Sequence, residues 1–401
     1  MPLPNPCPPN RDRLTQLGNE EKLADPQMGG HNTTHLMLRS SPLVALGALF
    51  ISTLPGSAAT LSYFITDLGG FHGASSSVQA VAINNSNVAV GGDFFSTTST
   101  AYRWDGSLHA LPALPGEPSA AASAINDLGL IVGDSVNNSQ PRAVRWTNDV
   151  PALLPVGGLR SNAHDINNAG HIVGAFQVVS GRDRAFLLEA GAAASIDLGT
   201  LGGLTAVAYA TNDAGLVVGS AASANGNGHA FKWRDLNGNH QSDAGEMTQL
   251  SDQGLSSAAY NVNNQGTAAG FTLRANFTRQ ASLWDSGGVR LDLANFPGAT
   301  DAEAWDVNQA GLAVGVSGDA VIWQSGTVQR LSDLIPAGSG WTRLGQAFAI
   351  NDNGQIIGYG YRGGTNQHAF VLTPTPEPGA LSLLGGLLLI ASARRRRCSG
   401  Q

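Results

Sequence analysis

One ten-residue unit, AINDLGLIVG at residues 124 to 133, returns with small changes through most of the chain. Its relatives are AINNSNVAVG at 82, DINNAGHIVG at 165, ATNDAGLVVG at 210, NVNNQGTAAG at 261, DVNQAGLAVG at 306 and AINDNGQIIG at 349, seven copies in all. Their shared asparagines are Asn84, Asn126, Asn167, Asn212, Asn263, Asn308 and Asn351, separated by 42, 41, 45, 51, 45 and 43 residues. A period of about 40 to 50 residues is what four short strands and their turns occupy, and it falls in the range of propeller blades.

The residue types in the unit have a physical reading. Side-chain oxygens of Asn and Asp bond backbone N–H groups in a type I turn, and the fourth residue takes the left-handed conformation that closes a bulged hairpin. That position is Gly129, Gly170, Gly215, Gly266, Gly311 and Gly354, with Asn87, the next most tolerant residue, in the first copy. A second glycine follows four residues later, from Gly91 in the first copy to Gly358 in the last. It permits close backbone approach or a bulge in the second strand.

A third strand is marked by AYRW at 101, AVRW at 143, AFLL at 185, HAFKW at 229, ASLW at 281, AVIW at 320 and HAFVL at 368. DLGTLGG at 197 and DLANFPG at 292 mark a fourth, which leads into a strand of small residues such as SAAASAIN at 119. Small side chains suit the crowded innermost strand of a tapering blade. The seventh unit lacks its DLG strand, while FITDLGG at 64 to 70 stands unpartnered before the first. Placed together they complete a blade. The expectation is therefore an all-β, seven-bladed β-propeller of four-stranded blades over 60–373, closed by the N-terminal strand without exposed edges.

These units resemble the HAF repeat of bacterial extracellular proteins, seen here as His229-Ala230-Phe231 and His368-Ala369-Phe370 with DLGTLGG as companion. The resemblance covers residues 65 to 372, keeps His in two copies only, and implies an exported repeat protein without assigning a catalytic residue.

The ends of the chain point to export. Residues 1–36 read as a leader that is disordered or the product of a mis-set start, the true start being Met1, Met28 or Met37. Residues 37–59 have the three parts of a signal peptide: Arg39, an apolar stretch from Pro42 to Leu54, and small residues ending at Ala59. Residues 374–401 hold Pro376, Glu377 and Pro378, an uncharged run from Gly379 to Ala393, and then Arg394, Arg395, Arg396 and Arg397. As a helix the 15-residue run spans about 23 Å, short of a roughly 30 Å hydrocarbon core, so spanning leans on arginine snorkelling; the arginines put the C-terminus in the cytoplasm. This tail resembles the PEP-CTERM sorting signal of Gram-negative bacteria. The resemblance implies an exosortase as partner, a transient inner-membrane anchor with a C-terminal apolar transmembrane helix, and delivery to the cell surface or exopolysaccharide. A plain C-terminal anchor is the alternative. Neither Cys7 nor Cys398 remains in the exported part, so no disulfide staples it.

The formal net charge of −7 argues against nucleic-acid binding, which needs clustered Lys and Arg on a folded face. No Gly-x-Ser-x-Gly elbow, His-Glu-x-x-His, phosphate loop or cysteine nucleophile lies in the exported region. His229 and His368 occupy equivalent positions, which suits a shared structural hydrogen bond better than a general base. One insertion, DLNGNHQSDAGE, carries Asp235, Asn237, Asn239, Asp243 and Glu246 at loop positions 1, 3, 5, 9 and 12, with the Gln241 carbonyl at 7. That is the ligand spacing of an EF-hand-like calcium loop, with His240 in place of the turn glycine; a merely polar hairpin tip fits the same residues. Trp104, Trp146, Trp233, Trp284 and Trp323 read as packing between blades, while Trp305 and Trp341 lie off that register and are the aromatic candidates for ligand contact. Asp301, Glu303 and Asp306 beside Trp305 are the one concentration of non-repeated carboxylates. The expected function is a non-enzymatic surface or matrix protein that binds exopolysaccharide or other surface proteins. An extracellular glycan hydrolase or lyase, or a lectin-like or ice-facing module, is the alternative.

Overall fold

The computed structural model describes residues 61–72, 77–253, 256–364 and 367–376. All belong to one compact unit, Ala58–Gln401. They form seven antiparallel sheets of four strands each, and the chain is an all-β seven-bladed propeller. The helical content among the described residues is one 3-10 turn, Leu331–Leu334.

Blade 1 runs outward from the channel through Ser77–Ile83, Ala89–Phe95, Thr98–Trp104 and Leu108–Leu111. Blades 2 to 7 repeat that order from the inner strands Ser119–Ile125, Ser161–Ile166, Gly202–Thr211, Ser257–Val262, Glu303–Val307 and Trp341–Ile350. In blade 7 the fourth strand comes from the other end of the sequence. Tyr63–Asp67 pairs antiparallel with Gln367–Pro374, with Tyr63 opposite Pro374 and Asp67 opposite Phe370. Thr375 N extends the ladder with a 2.9 Å bond to Ser62 O. Tyr63 is buried in a cluster with Leu344, Phe370 and Leu372.

The hairpin between the first two strands of each blade forms as its residues dictate. Asn87 and the six glycines that follow the Asn-x-x pattern all have φ between 66° and 84°. The second glycine answers a close approach. A Cβ on Gly91 would lie 1.9 Å from Gln79 O, and one on Gly219 would lie 2.0 Å from Val207 O, with all seven copies alike. The irregularity it accommodates is a bulge in the first, innermost strand rather than in the second.

Apolar clusters fill the spaces between neighbouring blades. Trp146, Trp284 and Trp323 are fully buried, and each indole N–H donates across to the preceding blade's exit loop, at Pro112 O, Ser251 O and Ala294 O, all at 2.7 Å. Trp233 is equally buried, but its Nε1 has no acceptor among the described residues. These tryptophans are therefore blade packing and not a sugar platform. The histidines of the two His-Ala-Phe tripeptides each meet a carboxylate. His229 Nδ1 shares a 2.5 Å bond with Asp252, and His368 Nδ1 lies 3.1 Å from Asp67, so each ties the third strand of its blade to a carboxylate at or just past the fourth.

The expected leader and signal peptide at 1–59 lie outside the described residues, as do Glu377, Pro378, the apolar run and Arg394 to Arg397. Pro376 ends the described chain and is exposed. Among the described residues no helix is long and apolar enough to cross a membrane.

Candidate functional site

The seven shared asparagines converge on one mouth of the central channel and join the blades into a ring. Asn84 Nδ2 donates to Asn126 O at 3.0 Å, Asn126 to Asn167 O, Asn167 to Asn212 O, Asn212 to Asn263 O, Asn263 to Asn308 O and Asn308 to Asn351 O. Asn351 Nδ2 then donates to Asn84 O at 3.0 Å, completing the circle. Meanwhile each Oδ1 accepts the N–H four residues on in its own turn, as from Val88 at 2.9 Å and Leu216 at 3.0 Å. Every amide thus works twice, shaping its hairpin with the oxygen and bonding the next blade with the nitrogen.

A second ring sits just outside the first. The next residue in each unit is Asn85, Asp127, Asn168, Asp213, Asn264, Gln309 and Asp352 in turn. Asn85 N donates to Asp127 Oδ1, Asp127 N to Asn168 Oδ1, Asn168 N to Asp213 Oδ1, Asp213 N to Asn264 Oδ1, Gln309 N to Asp352 Oδ1 and Asp352 N to Asn85 Oδ1, all within 2.8 to 3.0 Å. Carboxylate and amide alternate except at the adjacent amides Asn264 and Gln309, so no two carboxylates are neighbours. The acids assigned to turn formation from the sequence are therefore bridges between blades.

Deeper in the channel all seven innermost strands carry a bulge at the same place, between Ala80 and Ala82 in blade 1 and correspondingly in the rest, with further irregularities in the longer inner strands of blades 4 and 7. A bulged residue leaves the ladder and its side chain is re-aimed. Here these residues are Val81, Ser123, His164, Tyr209, Tyr260, Trp305 and Phe348, and all seven line one cavity of about 550 Å³. The five aromatic ones are consecutive around the ring and touch in series. Ring centroids are 5.6 Å apart for His164–Tyr209, 5.5 Å for Tyr209–Tyr260, 4.4 Å for the parallel Tyr260–Trp305 pair and 5.7 Å for Trp305–Phe348. The result is a half-buried aromatic crescent facing the small side chains Val81 and Ser123 across the opening.

Between the crescent and the asparagine ring the polar lining is Asp165, Asn261 and Asp306, where four blades have alanine. Asp165 Oδ2 accepts Thr211 N and Asp306 Oδ2 accepts Ile350 N, both at 2.8 Å, so each carboxylate holds the next blade's backbone. Burial pushes Asp165 up to about 6 against the two backbone bonds it accepts. Burial pushes Asp306 up to about 7, with the charges of Asp165 and Asp352 adding to it. Burial also lowers His164 and raises Tyr209. Tyr260 is raised by burial first and by Glu303 second, its hydroxyl donating to Glu303 Oε2 at 3.1 Å.

Of the two tryptophans singled out from the sequence, Trp305 stands in the crescent. Trp341 does not join it: it begins the inner strand of blade 7, edge-on to His368 and Phe370. Of the three carboxylates beside Trp305, Asp306 lines the cavity; Glu303 pairs with Arg279 at 2.5 Å, and exposed Asp301 accepts Arg279 N at 2.9 Å. His164, Tyr209, Tyr260 and Phe348 were missed. The signal for them was available as a column: three residues before each shared asparagine the side chain changes from blade to blade and is aromatic in five consecutive copies.

The calcium-loop candidates lie together in one loop, exposed at its tip with Glu246 buried at its end, where their side-chain oxygens are engaged. Asp235 accepts the N–H of Asn237, Gly238 and His240, and Asp243 accepts Asn237 Nδ2 and Asn239 Nδ2 at 2.8 and 2.7 Å. Glu246 accepts Leu236 N and Asp243 N, and Gln241 N donates to Asn239 Oδ1. His240 takes φ 58°, the left-handed conformation for which such loops use glycine. Among the described residues no three His, Cys, Asp or Glu side chains come together to hold a metal.

No protein-family profile matches the chain, and no curated protein does. Among solved structures it is similar to virginiamycin B lyase from Staphylococcus aureus, at 10% identity over 78% of this chain and 99% of that one, with a TM-score of 0.48. It is also similar to TolB from Acinetobacter baumannii, at 14% identity over 54% of each chain and a TM-score of 0.41. A puromycin hydrolase matches at 13% identity over 73% of this chain and 51% of that one, with a TM-score of 0.46. The chain thus spans about half the length of the TolB and the hydrolase.

Proposed function

We propose that this chain is an exported, non-enzymatic binding propeller of a bacterial cell surface, delivered by an exosortase and holding saccharide of the exopolysaccharide matrix in its central channel. The observation that carries the binding reading is the crescent: seven bulges aim side chains into one cavity, and five consecutive ones are aromatic. Aromatic surface beside a few fixed polar groups suits a sugar ring, whose C–H faces pack on the rings while its hydroxyls meet carboxylate and amide. Binding of a glycan panel to the full chain and to a Tyr260→Ala/Trp305→Ala variant tests it, with loss of binding expected in a variant that still unfolds cooperatively. Retention of all glycan binding in that variant refutes the channel as the site. Fractionating producing cells with and without the exosortase tests delivery; inner-membrane retention in both strains contradicts it.

A glycan hydrolase or lyase is the second reading, favoured by the two upshifted carboxylates in one cavity. Turnover of a bound glycan that Asp306→Asn abolishes would install it in place of the first. Two structural roles belong to the proposal. Tyr63–Asp67 acts as the clasp that closes the ring of blades, supported by its ladder to Gln367–Pro374 and by the contacts of Asp67 with His368 and Arg362. The Asp235–Glu246 loop takes calcium weakly, with Kd of about 10⁻⁴ to 10⁻³ M, by exchanging its internal hydrogen bonds for the ion. Isothermal titration with millimolar calcium reads the latter directly, and absence of heat removes it.

A further inference from the structure

The electrostatics of the channel narrow the kind of saccharide. From the asparagine mouth to the crescent the lining includes Asp127, Asp165, Asp213, Asp306 and Asp352, and no Lys or Arg among the described residues. Three of these acids accept side-chain N–H groups of neighbouring amides in the outer ring. Asp165 and Asp306 lie one layer deeper, on blades 3 and 6, and neither forms an ion pair with a basic side chain among the described residues. A carboxylate has about four lone-pair sites, so accepting two backbone N–H groups leaves each able to take a further donor. Low-dielectric walls bearing one sign of charge focus the potential within a cleft, and that potential here is negative. A neutral sugar would leave it uncompensated. A bare metal ion would need several acids to converge, and no such group exists among the described residues.

We infer that the channel takes a saccharide bearing a free amine, its ring against the Tyr209–Tyr260–Trp305 crescent and its ammonium shared by Asp165 and Asp306. This rests on the reading of the cavity as a saccharide site and adds the charge of the ligand. The ammonium supplies the missing counter-ion and up to three donors, and charge-assisted hydrogen bonds are the stronger class. Binding then favours the ionised carboxylates, which burial first, and then the charge of Asp213 on Asp165 and those of Asp165 and Asp352 on Asp306, hold partly protonated below neutrality. The other titratable groups facing them are His164, which burial pushes down, the phenols of Tyr209 and Tyr260, and the acids Asp213 and Asp352. Beyond Tyr260, Glu303 is already neutralised by Arg279. Affinity for an amine should therefore rise with pH as Asp165 and then Asp306 lose their protons, and fall again at higher pH where the sugar ammonium loses its own.

The test uses the full chain and two tetrasaccharides of the same linkage, one of glucosamine and one fully N-acetylated, measured by titration calorimetry at pH 5.5 and 7.5. The glucosamine tetramer is expected to bind about ten-fold more tightly at pH 7.5, the ratio expected of one or two partly buried charged contacts. That preference should shrink at pH 5.5 and fall to less than about three-fold in Asp165→Asn/Asp306→Asn, whose amides keep the shape and an acceptor for the backbone. Equal binding of the two tetramers, or tighter binding of the acetylated one, overturns the amine and leaves the saccharide site standing. Failure of both tetramers and of the wider glycan panel overturns the site along with it.

Discussion

Asn212→Asp separates two accounts of the repeated asparagine. If the residue serves its own turn only, Asp is an equal substitute, because its carboxylate accepts the same N–H groups of Ala214 and Leu216, now bonded at 3.1 and 3.0 Å. If it also joins the blades, Asp fails, because it cannot donate to Asn263 O as Asn212 Nδ2 does at 2.9 Å. The lost donor orphans a buried carbonyl at a cost of about 1–3 kcal/mol. With Asn212 only 4% exposed, placing an ionised carboxylate against that oxygen adds to the cost at neutral pH. Asn212→Ala, which removes all three hydrogen bonds, should cost roughly 2–4 kcal/mol. Urea unfolding followed by tryptophan fluorescence measures both. The Asp variant should lie close to the Ala variant at pH 7 and recover toward the parent at pH 4, where a protonated carboxyl regains a donor. An Asp variant within about 0.5 kcal/mol of the parent at pH 7 would refute the inter-blade role.

Asn168→Asp sets three carboxylates in a row, since Asn168 Nδ2 now bridges Asp127 and Asp213 at 3.2 Å each. The cost should be about 1 kcal/mol at low salt and should largely vanish in about 1 M NaCl, and a salt-independent cost would contradict the electrostatic account. Asp165 and Asp306 keep their protons in the folded chain up to about 6 and about 7, whereas the unfolded chain releases them near 3.8. The folded state therefore binds more protons within that window, and stability from this source falls as pH rises from about 4 to 7. Asp306→Asn should flatten the slope between pH 5 and 7.5, and an unchanged slope would count against it. Tyr63→Ala removes a fully buried ring from the clasp strand and should cost roughly 3–5 kcal/mol in urea unfolding. A loss below about 1 kcal/mol would mean that the strand does not hold the ring.

The architecture was readable because its determinants repeat. Seven turns with the same left-handed residue and a glycine of fixed offset mark seven hairpins, and their spacing leaves room for two further strands. What the repeat hides is what crosses from one blade to the next. The turn reading accounts for the asparagine oxygen completely, so nothing in one unit asks where the nitrogen goes. The bulge was equally hidden. Its glycine was recognised as a place of close approach, but the strand that bends is the partner of the one carrying the glycine, and the residue so re-aimed belongs to neither motif. Trp305 drew notice as an aromatic off register; Tyr209, Tyr260 and Phe348 share its column and went unremarked because periodicity rewards sameness.

That contrast between columns is the organising principle of the molecule. The inner asparagine ring has to be uniform, since each amide donates to the next and one break opens the circle. The outer ring need only avoid adjacent charges, and with an odd number of blades strict alternation must fail once. It fails between Asn264 and Gln309, two amides with no charge to oppose, where Gln265 Nε2 reaches across to Gln309 O at 2.9 Å instead. With ring strength fixed by these two columns, the bulged position three residues earlier carries no structural duty common to all blades. It is held rigidly between strong neighbours and left open to variation, the condition under which a symmetric frame can carry an asymmetric site. Five aromatics on one arc use that freedom, and two acids on blades 3 and 6 follow them by one residue. The symmetry that argues against a repeated turn acid as a catalyst therefore does not extend to this layer, which has the variable positions that the proposed recognition requires.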